Sequence, residues 1–247
     1  MNYEKYRLSG AETVIYPALG VLIDILIAWA FYREAAAFFI FLIPVELIFL
    51  REVRKILAEK RRYEFSLEFR EAILSVQASL VAGYSVENAF IEAQRVMENM
   101  YGESIITKEF RILTRRLRSN EPLEKILSDM AERSGIEDIE DFANVFSAAK
   151  RSGGDFTRII RRAVDSISDK MDVRRDIRTA ISSKKYENRI MEAVPFGIIV
   201  YLNLSSSEFL SPLYHNIRGA AVMTVCLGLY GAGFALAEHI MSEAERV

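Results

Sequence analysis

A single cysteine and two histidines are all the chain holds of the side chains that most often bind transition metals or attack substrates. A lone thiol forms no intrachain disulfide, and Cys226 sits inside an apolar run, so crosslinks play no part in the fold. His215 and His239 lie far along the chain, near no acidic or thiol cluster, and no nucleophile–base pair shares a segment. The sequence therefore argues against an enzyme, offers no metal site and calls for no cofactor. Net charge is scarce too, at −2. The charged stretch 51–190 carries only about +3, and no aromatic residues alternate with its basic ones, which excludes nucleic acid as a partner. Of five prolines, only Pro122 falls within that stretch, so long helices meet few breaks there.

What the chain has instead is apolar runs at both ends. Residues 13–32 read TVIYPALGVLIDILIAWAFY, with one charge, and AAAFFIFLIPVELIFL follows at 35–50. Near the other end, AVPFGIIVYLNL begins at Ala193 and GAAVMTVCLGLYGAGFALA covers 219–237. A membrane span needs about 20 residues. The first and last runs meet this directly, the second with snorkelling flanks, and the third when extended to 210. Four spans are expected, at 13–32, 35–50, 193–210 and 219–237. The first run is longer than a signal-peptide core and a second run follows at once, so it reads as a span. Of 32 Lys and Arg residues, 27 lie from Arg51 to Arg189, while the opposite links hold Arg33 and Arg218. The positive-inside rule then places 51–190 and both termini in the cytoplasm.

Within 51–190, apolar residues recur with helical period and no stretch requires a strand. Phe69, Ala72, Ile73, Val76 and Leu80 form one stripe ending at Gly83. A second helix starts behind Ser85 as N-cap and ends before Gly102. Phe110, Leu113 and Leu117 mark a third, and Asn120 is expected to cap a fourth, with Pro122 in its first turn. Gly135 separates that helix from a fifth running from Ile136 to Ala149, and a sixth carries Phe156, Ile160 and Met171, then Ile177 and Ile181. The expected fold is all-α: a six-helix cytoplasmic bundle, 51–190, flanked by transmembrane hairpins at 1–50 and 191–247.

KRSGGDFTRIIRRAVDSI (150–167) looks like a phosphate loop at first sight, with two glycines before a helix. It follows a helix instead of a strand, and it lacks the GxxxxGK[ST] spacing. Asp155 would occupy the helix N-terminal amides and repel a phosphate. Glycine as C-cap and Asp155 as N-cap is the reading, and no nucleotide binds.

Hairpin, six-helix bundle, hairpin is an order that resembles the type II secretion F family of inner-membrane platform proteins. The residues carrying the likeness are ILSVQASLVAGYSVENAF (73–90), LRSNEPLEKILSDMAERSG (117–135) and FSAAKRSGGDFTRIIRRAVDSI (146–167). Asn120 and Phe156 stand where that family often has glycine and leucine, and both swaps keep the cap or core role. The likeness runs over roughly 65–215. A single copy of the bundle resembles the tight-adherence branch, of TadB and TadC type, and the N-terminal hairpin leans towards TadB. The resemblance implies a platform of a type IV (tight-adherence, Flp-type) pilus or type II secretion machine. Implied partners are a TadA-like assembly ATPase, a paralogous TadC-like platform protein and pilin subunits, in a homo- or hetero-oligomer.

Candidate contact residues follow, each with a plainer alternative. Asp24 lies near the middle of the first span, where a bare carboxylate is costly. It either meets a polar or cationic group of a pilin or is protonated and bonded to Asn203 or Thr224; a small transporter using Asp24 is the alternative function. Glu46 lies near Arg51 and is expected to snorkel towards it. Glu137, Asp138, Glu140 and Asp141 crowd a helix start, either stabilising its dipole or docking basic partner groups. Arg158, Arg161 and Arg162 belong to a solvated face or to the same docking surface. Arg174, Arg175, Arg178, Lys184, Lys185 and Arg189 are candidates for anionic lipid. Ala220, Thr224, Gly228 and Ala232 repeat every four residues, a spacing that lets helices approach, in self-association or against the chain's own spans.

Overall fold

The computed structural model describes residues 10–32, 35–152, 155–205, 213–214 and 216–244. Its elements are α1 (Glu12–Phe31), α2 (Ala35–Val81), α3 (Val86–Tyr101), α4 (Ile105–Arg118), α5 (Leu123–Ser134), α6 (Glu137–Ser152), α7 (Phe156–Ser205) and α8 (Ile217–Ala244). No strand occurs among the described residues, as the helical periodicity requires. Two compact units emerge, one over Lys55–Val173 and one built on Leu8–Arg54 with Arg174–Val247. Helices α2 and α7, of 47 and 50 residues, contribute to both.

The first unit is a bundle of six helical segments around one apolar core. Phe69, Ile73, Phe90, Phe110, Phe142 and Phe146 are fully buried in it. Phe69 meets Phe142 edge-on at 5.7 Å, and Phe146 meets Phe90 at 5.9 Å and Phe156 at 5.3 Å. Such edge-to-face pairs add about 0.5–1.5 kcal/mol beyond the area they bury. The buried stripe of α7 stops at Met171. Ile177 and Ile181, expected to continue it, are only half-buried; they lie past Val173, where the first unit and its core end.

Helix ends obey their capping residues. Ser85 Oγ accepts from Asn88 N, and Ser104 Oγ accepts from Thr107 N. Gly83, at φ +90°, closes α2 while Gly83 N and Tyr84 N bond to Leu80 O and Ser79 O. Asn120 corrects the sequence reading. It does not cap α5; it closes α4 in the left-handed region at φ +59°, with Asn120 N on Leu117 O and Glu121 N on Arg116 O. Pro122 explains the shift: it keeps the preceding residue out of the helical region, so α5 starts only after it. Asp155 does cap α7, its carboxylate accepting from Arg158 N at 3.1 Å. The C-cap role expected of Gly153 and Gly154 lies outside the described residues.

The second unit inverts this pattern, with large apolar side chains outside. Ile15, Leu22, Leu47, Ile198, Val225 and Leu229 are exposed, whereas Asp24 and Asn203 are buried. By length and hydropathy, Glu12–Phe31 and Arg218–Ile240 are each able to cross a membrane. The runs at 35–50 and 193–205 form the outer ends of α2 and α7, and α2 and α7 continue through Pro44 and Pro195. Residues 206–210 of the expected third span lie outside the described residues.

Candidate functional site

The first turn of α6 gathers the acidic residues singled out by sequence, and α7 answers them with one cation. Lys170 Nζ lies 3.0 Å from Glu137, 3.4 Å from Asp138 and 3.4 Å from Asp141. Asp138 is 1% exposed and also accepts from Ser66 Oγ of α2 at 3.1 Å. Burial pulls the Lys170 ammonium down, but the Glu137 and Asp138 carboxylates outweigh it and the net shift is upward. Arg62 of α2 donates to Gly135 O just before this turn, and Arg70 pairs with Asp172 at 2.9 Å. The start of α6 is thus pinned between α2 and α7. Glu140 alone of the four acids lacks a salt bridge among the described residues, and it is exposed.

Arg158, Arg161 and Arg162 are exposed on α7. Arg158 lies 3.7 Å from Asp155, and neither Arg161 nor Arg162 makes a salt bridge among the described residues. They do not join the acidic cluster: eight or more residues separate them from Lys170, about 12 Å or more along the helix at 1.5 Å per residue. Between the two charge groups runs a shallow groove of about 290 Å³, lined by Asp141, Asn144, Val145, Ala163, Ser166 and Lys170 among others. Among the described residues no group of three or more histidine, cysteine or acidic side chains could hold a metal. What this face offers is exposed charge of both signs on two adjoining helices.

Further ion pairs lock α3, α4 and α5 together. Arg116 holds Glu121 through two bonds of 2.6 Å and also Asp129, and this pushes the Glu121 carboxyl down to about 2. Glu109, buried, pairs with Arg133 at 2.6 Å, and Arg111 bridges Glu98 and Glu103.

In the second unit, Asn203 is drawn away from Asp24. Its Nδ2 donates to Ala30 O at 3.2 Å and to Ile199 O at 3.1 Å. The Tyr214 hydroxyl lies 2.9 Å from Ala30 O and 3.0 Å from Asn203 Oδ1. Ala30 is in the last turn of α1, where a carbonyl has no partner within its own helix, and these side chains supply one. Thr224 is likewise engaged, with Tyr32 Oη at 2.8 Å and its own Ala220 O at 2.8 Å. The bond from Asp24 to Asn203 or Thr224, one of the two readings of Asp24, is not made among the described residues, where neither Asp24 oxygen has a hydrogen-bond partner. Glu46 does not snorkel towards Arg51; both its oxygens are buried, over Gly20 of α1.

Ala220, Thr224, Gly228 and Ala232 are all exposed, and a Cβ added at Gly228 would meet nothing within 4 Å. Arg174, Arg175, Arg178, Lys184 and Arg189 are exposed along α7 and Lys185 is half-buried, and Lys184 pairs with Glu187 at 2.8 Å. The sequence reading passed over Lys170, Ser66, Gly20 and Tyr214. Each owes its part to a partner far along the chain, and only Gly20, one turn before Asp24, carried a local signal.

Neither curated proteins nor solved structures match the chain. Protein-family comparison does: residues 72–203 match Type II secretion system (T2SS), protein F. The match starts at Ala72 in the first buried stripe, takes in α3 to α6, and ends at Asn203 near the end of α7. It covers more than half of the chain, which belongs to the type II secretion system protein F family.

Proposed function

We propose that this protein is a multi-pass inner-membrane platform of a type IV (tight-adherence, Flp-type) pilus or type II secretion machine, closest in plan to the TadB-like branch. In this reading 1–50 and 191–247 are transmembrane hairpins, and 51–190 with both termini face the cytoplasm. The bundle docks a TadA-like assembly ATPase and passes its motion to pilin subunits, beside a TadC-like relative. The observation that carries the reading is the family match over 72–203, to the bundle and the start of the second hairpin. The apolar exterior of the second unit and the two helices able to cross a membrane support the membrane part.

Docking is assigned to the exposed face of α6 and α7, with Glu140 and Asp141 on one side and Arg158, Arg161 and Arg162 on the other. Asp138, buried and held by both Lys170 and Ser66, is a structural anchor instead. Anionic lipid falls to the exposed basic residues from Arg174 to Arg189, each worth about 1 kcal/mol near a charged surface. The test is a pull-down of the assembly ATPase from the same cell by the detergent-purified full-length protein, at low and moderate salt. Retention with an altered hydrolysis rate supports docking, and no retention at either salt sinks it.

A further inference from the structure

Two carboxyl groups of the second unit are left over by everything described so far. Asp24 is 1% exposed, and neither of its oxygens has a hydrogen-bond partner among the described residues. Both oxygens of Glu46 are buried and also lack a hydrogen-bond partner among the described residues. Gly20 is the residue that relates them. Gly20 lies one turn before Asp24 on the same buried face of α1. The Glu46 carboxylate rests on Gly20 so closely that a Cβ there would overlap it and stand 3.1 Å from the Phe49 ring. Side chains of a helix lean towards its N-terminus, so Asp24 leans back over the Gly20 turn.

The other polar groups near these helices are committed elsewhere. Asn203 and Tyr214 serve Ala30 O, and Tyr32 and Thr224 bond to each other. Tyr230 Oη donates to Glu192 O at 2.6 Å, and the Glu192 carboxylate accepts from Asn188 at 2.7 Å. Tyr16 lies two turns before Asp24 on α1, and Tyr201 faces outward. Arg51, beyond Glu46 on α2, is exposed and makes no ion pair among the described residues. A carboxylate shut away in an apolar medium calls for a compensating positive charge.

We infer that Asp24 and Glu46 form an intramembrane binding site for one small cation, a proton or an alkali ion, seated over Gly20 between α1 and α2. A bound proton lets one carboxyl donate to the other, and a bound alkali ion takes oxygens from both. The bare Cα of Gly20 allows the carboxyls to meet at the helix surface. The inference rests on the membrane placement of α1 and the start of α2, not on the platform role.

The test is labelling by dicyclohexylcarbodiimide, which attacks protonated carboxyls in apolar surroundings. Full-length protein in phosphatidylcholine vesicles would be titrated with pH and read by intact mass and peptide mapping. The expected result is one adduct per chain, at Asp24 or Glu46, with a rate falling about tenfold per pH unit above the midpoint of the site. Sodium or potassium chloride, against choline chloride at equal ionic strength, separates the ligands. Slower labelling identifies a competing alkali ion, and an unchanged rate identifies the proton alone; either result supports the site. Absence of an adduct at every pH overturns it, as does an equal yield in the D24N/E46Q chain. Equal labelling by a water-soluble carbodiimide with an amine nucleophile overturns it together with the membrane placement. The wild-type pH profile decides the matter even if the double variant fails to insert.

Discussion

A buried charge depends on what answers it, and Asp138 and Glu46 show two outcomes. Asp138 has Lys170 and Ser66, so removing the lysine leaves a carboxylate stranded in the core. Lys170→Met should cost about 1–3 kcal/mol in unfolding free energy, and adding Asp138→Asn should restore much of it. Denaturant titration of the double-mutant cycle measures this; additive losses would show that the pair is not coupled. Glu46 has no hydrogen-bond partner among the described residues and rests on the flat surface of Gly20. Gly20→Ala should evict the carboxyl, costing about 1–3 kcal/mol as overpacking does and reducing labelling at the Asp24–Glu46 pair. Glu121 makes a third case, visible with pH. Arg116 holds its folded value at about 2, below the ordinary 4.5, so its contribution is complete above 4.5 and fades as pH falls towards 2. Glu121→Gln should therefore lower the melting temperature at pH 7, and the gap to wild type should close between pH 4.5 and 2. A gap independent of pH would mean that packing, not charge, is at stake. Lys170, Ser66 and Gly20 were not legible as partners beforehand, because spacing along one helix says nothing of which distant side chain will face it.

Elements were far more legible than contacts. The stripes from Phe69 to Leu80 and from Ile136 to Ala149 are buried as their period requires, since one helical face must find the core. Caps at Ser85 and Asp155 followed from side-chain chemistry that acts within three residues. Asn120 failed because two helix ends compete for it. Asparagine suits an N-cap and a left-handed C-terminal position alike, and the steric demand of Pro122 decides for the latter. This assignment predicts opposite effects from two substitutions. Asn120→Gly should leave stability unchanged or raise it, because glycine adopts φ +59° without penalty. Asn120→Ala should cost about 1 kcal/mol or more for the left-handed backbone. Were Asn120 an N-cap, glycine and alanine would both weaken α5, so thermal melts of the two variants separate the assignments.

At the scale of the whole molecule, the chain sorts its charge between an apolar exterior in one unit and an ion-paired surface in the other. That contrast was already present as four greasy runs around a charged middle, because a membrane sorts residues by hydropathy before any packing matters. The sidedness proposed for the two units makes a sharp demand on cysteine chemistry. Native Cys226 is exposed on α8 within the apolar run, a medium that a charged maleimide does not enter, so the reagent should leave it unmodified. A cysteine introduced as Glu103→Cys, at a side chain 69% exposed between α3 and α4, should react only after right-side-out vesicles are opened. Reaction in sealed vesicles would put the bundle on the outer side and overturn the orientation, whereas protection until opening places it beside the cytoplasmic ATPase that the platform role requires.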